Sequence, residues 1–280
     1  MLKRLSSSDA FVRAVGTVLY GALFIWLFLV DGVPLFIGVA AVTLIAAYEF
    51  YRMMTHGGHQ PSFIIGIAAS LFFVADAYFE RDLLRPGLTL ILLASAAWYG
   101  IKEARRQAVD PSSGHNYATD WALTLVGALY TGGLLSYAIS LRALPDGARL
   151  LITVAAGAAA CDIAAYAIGS SISKHPFLPS ISPRKTWEGT IAGFLAAVVV
   201  VASLAAHWGA SLPIALGWGI VLGFFQIQGD LVESKLKRIA GVKDSGSLIP
   251  AQGGILDVID GFMFSIAVSY YYLVLIAHLS

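Results

Sequence analysis

The chain has 280 residues, 58% of them hydrophobic and 12% charged, with a formal net charge of +1 and a mean hydropathy of +0.77. That is too apolar for a soluble globular protein, and the near-neutral balance gives no argument for nucleic acid as a partner. A single cysteine, Cys161, excludes an intramolecular disulfide and argues against a metal–thiolate centre.

A helix needs about 20 mainly apolar residues to cross the hydrocarbon core. The sequence predicts an all-α polytopic integral membrane protein with about nine spans, near 11–30, 33–53, 61–79, 85–101, 119–141, 149–170, 190–208, 212–230 and 260–278. Eight is the alternative, because Asp76 interrupts the third run and the fourth is short. The basic N-terminus leads into an apolar run, Ala14 to Val30, longer than a secretory signal core, and reads as a retained first helix. The spans divide into N-terminal membrane helices, 1–118, and C-terminal helices, 119–280, which carry two polar loops, 171–189 and 231–259.

With the N-terminus cytoplasmic, all of the 18 Lys and Arg residues except Arg81, Arg85, Arg142 and Arg149 fall on inner ends and loops. Both polar loops then share the cytoplasmic face, where soluble nucleotides are.

Polar residues inside apolar runs need a reason, since a carboxylate near a helix centre costs about 2.5–3.5 kcal/mol on insertion scales. Glu49 and Asp76 lie near span ends, where snorkelling or a helix–helix hydrogen bond accounts for them. Asp162 lies deeper, one turn before Tyr166 and two before Gly169. It either lines a polar cavity or makes one structural hydrogen bond. His56 and His59, in HGGH, fall short of the three protein ligands usual for catalytic zinc.

In the loop SISKHPFLPSISPRKTWEGT, Ser182 reads as a helix N-cap with Pro183 at the first helical position. A capped helix with an interfacial Trp187 explains Ser182 and Pro183 but not the Arg184, Lys185, Thr186 cluster, and helix N-termini bind anions.

The most polar stretch is Ser234 to Asp260. It gathers Lys235, Lys237, Arg238 and Lys243, the carboxylates Asp244, Asp257 and Asp260, and Gly241, Gly246, Gly253 and Gly254. Orientation in the membrane explains loop cations, and Gly with Asp is ordinary turn chemistry. Asp257 and Asp260 go beyond that, standing at i, i+3 where the chain re-enters an apolar run. Cations for phosphate, glycines for close backbone approach and carboxylates for a hard cation together suggest a metal-assisted site for a phosphorylated substrate.

This stretch resembles the signature of the phosphatidate cytidylyltransferases, the CDP-diacylglycerol synthases. Ser234, Lys237, Arg238, Lys243, Asp244, Gly246, Ile249, Pro250, Gly253, Gly254, Asp257 and Asp260 match in register. Upstream, the run from Ser182 to Gly189 is similar to the family's SPKKTWEG, Asp162, Tyr166 and Gly169 to its D-x3-Y-x2-G segment, and GDLVESKLKR from Gly229 to its G-D-L-x-E-S-x-x-K-R. Gln252 stands where the family has His, and Val258 where it has Arg. Gln hydrogen-bonds but takes up no proton, so acid/base work at 252 is excluded.

The resemblance implies that phosphatidate attacks the α-phosphorus of CTP, giving CDP-diacylglycerol and pyrophosphate in phospholipid biosynthesis. It implies Asp230, Asp257 and Asp260 as ligands of one or two Mg²⁺ ions, and Lys237, Arg238, Lys243 and Asp244 as residues serving the triphosphate or holding the loop. Ser182, Arg184, Lys185 and Thr186 would contact phosphate, with Asp162 lining the same cavity. A bacterial inner membrane with the site on its cytoplasmic face is the expected location, and a homodimer a possible assembly. The alternatives are a CTP-dependent transferase or kinase acting on an isoprenoid lipid, such as a CDP-archaeol synthase, a membrane transporter, and a catalytically weakened scaffold.

Overall fold

The computed structural model describes residues 21, 25–80, 82–109, 116–172, 175–249 and 253–278. Most of the first predicted span, and Gln252, lie outside these residues. The described elements are α1 (Val33–His56), α2 (Phe63–Phe79), α3 (Leu84–Val109), α4 (Tyr117–Ala128), a π-helical turn (Leu129–Gly133), α5 (Leu134–Ala143), α6 (Gly147–Ser171), β1 (Pro176–Leu178), β2 (Ser182–Thr186), α7 (Trp187–His207), α8 (Leu212–Ile239) and α9 (Leu256–Leu275). Among the described residues seven helical stretches are long and apolar enough to cross a membrane, α4 through α5 counting as one, and α2 is a shorter apolar helix. The chain is therefore an all-α polytopic membrane protein with one small β-hairpin.

Local sequence sets the helix starts. Asn116 Oδ1 accepts from the N–H groups of Ala118 and Thr119 at 3.1 and 3.2 Å, and Ser62 Oγ accepts from Ile65 N at 3.4 Å. Proline occupies the opening positions of α1 and α8, where a missing N–H is harmless.

Three boundaries differ from the sequence expectation. α3 continues to Val109, because Lys102–Ala108 are strong helix formers that end the apolar run without ending the helix. α8 likewise continues to Ile239, so the first third of the expected loop 231–259 is helical. And Ser182 does not cap a helix: Ser182–Thr186 is an extended strand paired antiparallel with Pro176–Leu178, and α7 begins at Trp187 with Thr186 as its cap, accepting from Gly189 N at 3.3 Å. The pairing registers Pro176 with Thr186 and Leu178 with Ser182, and the ring of Phe177 packs edge-on against Trp187 at 4.5 Å. Pro183 is compatible with this, since a two-stranded hairpin has edges where a missing donor is tolerated.

Small residues set the helix spacing around the site. A Cβ on Gly193 of α7 would lie 2.7 Å from the Cys161 carbonyl oxygen of α6. Between α8 and α9, a Cβ on Gly229 would lie 2.6 Å from the Asp260 carbonyl oxygen, and one on Gly261 2.5 Å from Gln226 Nε2. In a bilayer, where helices gain nothing from leaving water, such close backbone approach is a main source of packing energy. The core formed by Phe50, Tyr51, Met54, Leu141, Leu151, Val154, Leu222, Met263 and Ile266 is fully buried and joins α1, α5, α6, α8 and α9.

Candidate active site

The site lies at the end of the bundle where the C-terminal part of α8, the start of α9 and the β-hairpin meet. α8 supplies Asp230, Glu233, Ser234 and Lys237, at i, i+3, i+4 and i+7, which form one stripe along the helix. The Gly229–Gly261 contact sets that stripe against the first turns of α9, bringing Asp230 beside Asp260. The charged neighbours of Asp260 are Asp230, Glu233 and Asp162.

Lys237 bridges the two helices. Its ammonium pairs with Glu233 one turn back and with Asp257 Oδ1 of α9 at 2.7 Å, and its side chain is only 14% exposed. Glu233 is fully buried, and its Oε1 has no hydrogen-bond partner among the described residues. The motif match in the sequence includes Glu233 but gives it no role, although the four-residue polar stripe is readable at helical spacing.

The loop between α8 and α9 wraps internal anions. Asp257 Oδ2 accepts from Ser245 N at 2.8 Å, Ser245 Oγ at 2.8 Å and Gly254 N at 2.7 Å. Glu49, 5% exposed and contributed by α1, accepts from Ile255 N at 3.1 Å and Leu256 N at 2.8 Å. A Cβ on Gly246 or on Gly254 would come within 2.4 Å of a Glu49 carboxylate oxygen. The anions that Gly246 and Gly254 approach in this structure are Glu49 and Asp257. Glu49 is not a snorkelling residue, because its carboxylate is turned inward onto these donors.

The hairpin closes one side. Lys185 pairs with Asp230, and Arg238 donates from Nε to the Ile181 carbonyl at 3.2 Å and from Nη1 to the Val242 carbonyl at 3.4 Å. Arg238 therefore ties the hairpin to the α8–α9 loop. Arg184, Lys243 and Asp244 are exposed on these same two segments, and Ser182 and Thr186 lie within β2. At the α1 end, His56 Nδ1 lies 3.3 Å from the Ala240 carbonyl, and His59 faces Asp120 at 3.9 Å.

Asp162 makes a side-chain hydrogen-bonded pair and lines a cavity, but a largely apolar one rather than the polar cavity that the sequence left open. Gln226 Nε2 donates to its two carboxylate oxygens at 3.2 and 3.3 Å, and the pair forms one wall of a cavity of about 200 Å³. The remaining lining is apolar: Phe28, Ala155, Ala158, Ala159, Val258, Ile259 and Phe262. Tyr166 points away, 79% exposed. The buried Tyr130, on the π-helical turn, has Asp260, Glu233, Asp230 and Asp257 as charged neighbours, and its hydroxyl has no hydrogen-bond partner among the described residues.

Asp162, Asp230, Glu233, Asp257 and Asp260 against Lys185 and Lys237 leave this cluster with a formal surplus of negative charge. Oxygen donors of this kind suit a hard divalent cation such as Mg²⁺. Asp230 and Asp260 have oxygens to offer; Asp257 offers only Oδ1, the atom that Lys237 also faces. The donor set fits such an ion, although no three His, Cys, Asp or Glu side chains among the described residues are already gathered in metal-holding geometry.

Residues 11–276 match the model of the cytidylyltransferase family. Phosphatidate cytidylyltransferase 4, chloroplastic, of Arabidopsis thaliana is 40% identical over 153 residues, 54% of this chain but only 35% of that protein's length. The phosphatidate cytidylyltransferase of Mycobacterium bovis is 32% identical over 243 residues, covering 85% of this chain and 79% of its own. That of Synechocystis is 30% identical over 299 residues, covering 94% and 96%.

Proposed function

This chain belongs to the cytidylyltransferase family, and from that premise we propose that it transfers the cytidylyl group of CTP to phosphatidate, producing CDP-diacylglycerol and pyrophosphate. The observation that carries the reading is one juxtaposition. A charged cluster built for phosphate chemistry, Asp230, Lys185, Lys237, Asp257 and Asp260, shares Asp260's neighbour Asp162 with an otherwise apolar cavity among membrane helices. Such a place suits a substrate that is ionic at one end and hydrocarbon at the other.

In the transfer, a phosphate oxygen of the lipid forms a bond to the α-phosphorus of CTP, and the bond from that phosphorus to the bridging oxygen of the β-phosphate breaks. The nucleophile is already an anion, so positioning and charge neutralisation matter more than a general base. Lys185 and Lys237 supply positive charge at the cluster, and Asp257, through its three donors from the loop, keeps Lys237 in place. Arg184 and Lys243, exposed on the two loops, meet the triphosphate or the lipid headgroup as it arrives. Asp230 and Asp260, with Asp257 Oδ1, would hold one or two Mg²⁺ ions, which when bound neutralise phosphate oxygens and the departing pyrophosphate. The site faces the cytoplasm, where CTP is, in a cell membrane.

The test is product formation by detergent-purified protein given CTP, phosphatidate and Mg²⁺, beside a chelated sample. CDP-diacylglycerol with equimolar pyrophosphate, lost on chelation and restored by Mg²⁺, is the expected result. CTP binding without product in the presence of phosphatidate, but with product from an isoprenoid lipid phosphate, would move the assignment to that lipid class.

A further inference from the structure

We propose that Glu49 is a positioning residue for this transfer, holding the first turn of α9, and through it Asp257, in register with Lys237. The inference rests on the reaction proposed above. The free N–H groups at a helix start are ordinarily satisfied by a side chain just before the helix. α9 has no such cap of its own: its preceding residue, Ile255, makes no side-chain hydrogen bond. The donors of Ile255 and Leu256 go instead to Glu49, 206 and 207 residues earlier in the chain.

Both carboxylate oxygens are used, Oε1 by Ile255 N and Oε2 by Leu256 N, with Ser245 Oγ 3.5 Å from Oε2. Ser245 also donates its backbone N–H to Asp257 Oδ2, and its hydroxyl lies 2.8 Å from the same oxygen. One serine therefore touches both carboxylates, and Gly246 and Gly254 leave the room that the Glu49 side chain fills. Moving Glu49 moves the two backbone amides immediately before Asp257 and the Ser245 hydroxyl that touches it. Glu49 stays clear of the reacting groups: its partners are backbone amides and a serine, so it acts on the chemistry only through Asp257.

An amide in its place tests this. Gln offers one acceptor and one donor, so one of the two amides at the helix start is left facing an N–H₂ group. Glu49→Gln is expected to lower kcat about 10–100-fold, the usual range for losing a partner that orients a site residue, with KM for CTP and for phosphatidate unchanged. Hydrogen exchange should quicken in residues 253–258 and nowhere else. Gly254→Ala approaches the same contact from the opposite side, since its Cβ would lie 2.4 Å from Glu49 Oε2, and is expected to reproduce both effects with Glu49 present. Wild-type kcat in both variants, or faster exchange spread through all the helices, overturns the proposal. If the unaltered protein forms no CDP-diacylglycerol, the reaction assignment fails by itself, and exchange confined to 253–258 or spread through the bundle still decides for or against Glu49.

Discussion

Gly229 and Gly261 meet across α8 and α9 with no side chain between them, so that Asp230 and Asp260, one residue beyond Gly229 and one before Gly261, become neighbours. The carboxylate pair is thus a product of backbone contact. Gly229→Ala places a methyl group where 2.6 Å separates it from the Asp260 carbonyl oxygen, and backbone has to give way. A loss of about 1–3 kcal/mol is expected from such overpacking, with turnover falling further than stability. Melting temperature and product formation measured on one preparation check this.

Asp257→Asn removes the charge that Lys237 faces and leaves Lys237 with the buried Glu233 alone. Turnover should be abolished. Unlike an exposed metal ligand, Asp257 also holds Ser245 and Gly254, so the same change should cost stability, about 3–5 kcal/mol by the usual penalty for breaking a buried pair. Near-wild-type product formation by this variant would remove Asp257 from the machinery.

Lys185→Ala breaks an ion pair whose members are 20% and 36% exposed. Pairs so open to water contribute under about 1 kcal/mol, so the melting temperature should hardly move. Turnover should fall at least about tenfold, equivalent to about 1.4 kcal/mol of barrier. A variant with intact rates would make Lys185 an anchor of the hairpin only.

Tyr130→Phe deletes a buried hydroxyl that finds no hydrogen-bond partner among the described residues. An unsatisfied buried polar atom costs about 1–3 kcal/mol, so the substrate-free protein should become more stable by about 1 kcal/mol. Thermal unfolding without CTP or lipid reads this directly.

The membrane class and the C-terminal motifs were legible in the residues themselves. Apolar runs of bilayer length mark most of the helices, and the polar stretch from Ser234 to Asp260 does sit with the hairpin at one end of the bundle. What stayed hidden depended on distance along the chain or on the boundary between apolar and helical. Glu49 reads alone as a carboxylate near a span end, since nothing local announces partners more than 200 residues away. Hydropathy falls across residues 231–239 and reads there as loop, although the i, i+3, i+4, i+7 spacing of Asp230, Glu233, Ser234 and Lys237 is a helical signal. Ser182 and Pro183 imitate a helix start, and only the pairing of β2 with β1 reveals that Thr186 holds that place.

The long reach of Glu49 bears on the birth of the protein. Its partners at the head of α9 leave the ribosome more than 200 residues after it does, so the amides that Glu49 accepts from in the folded chain are made long after Glu49 itself. A chain cut short before Ile255 lacks both Asp257 and the two amides that Glu49 accepts from. The cap of α9 and the carboxylate it positions therefore depend on two segments far apart in the chain, and neither segment forms this contact without the other.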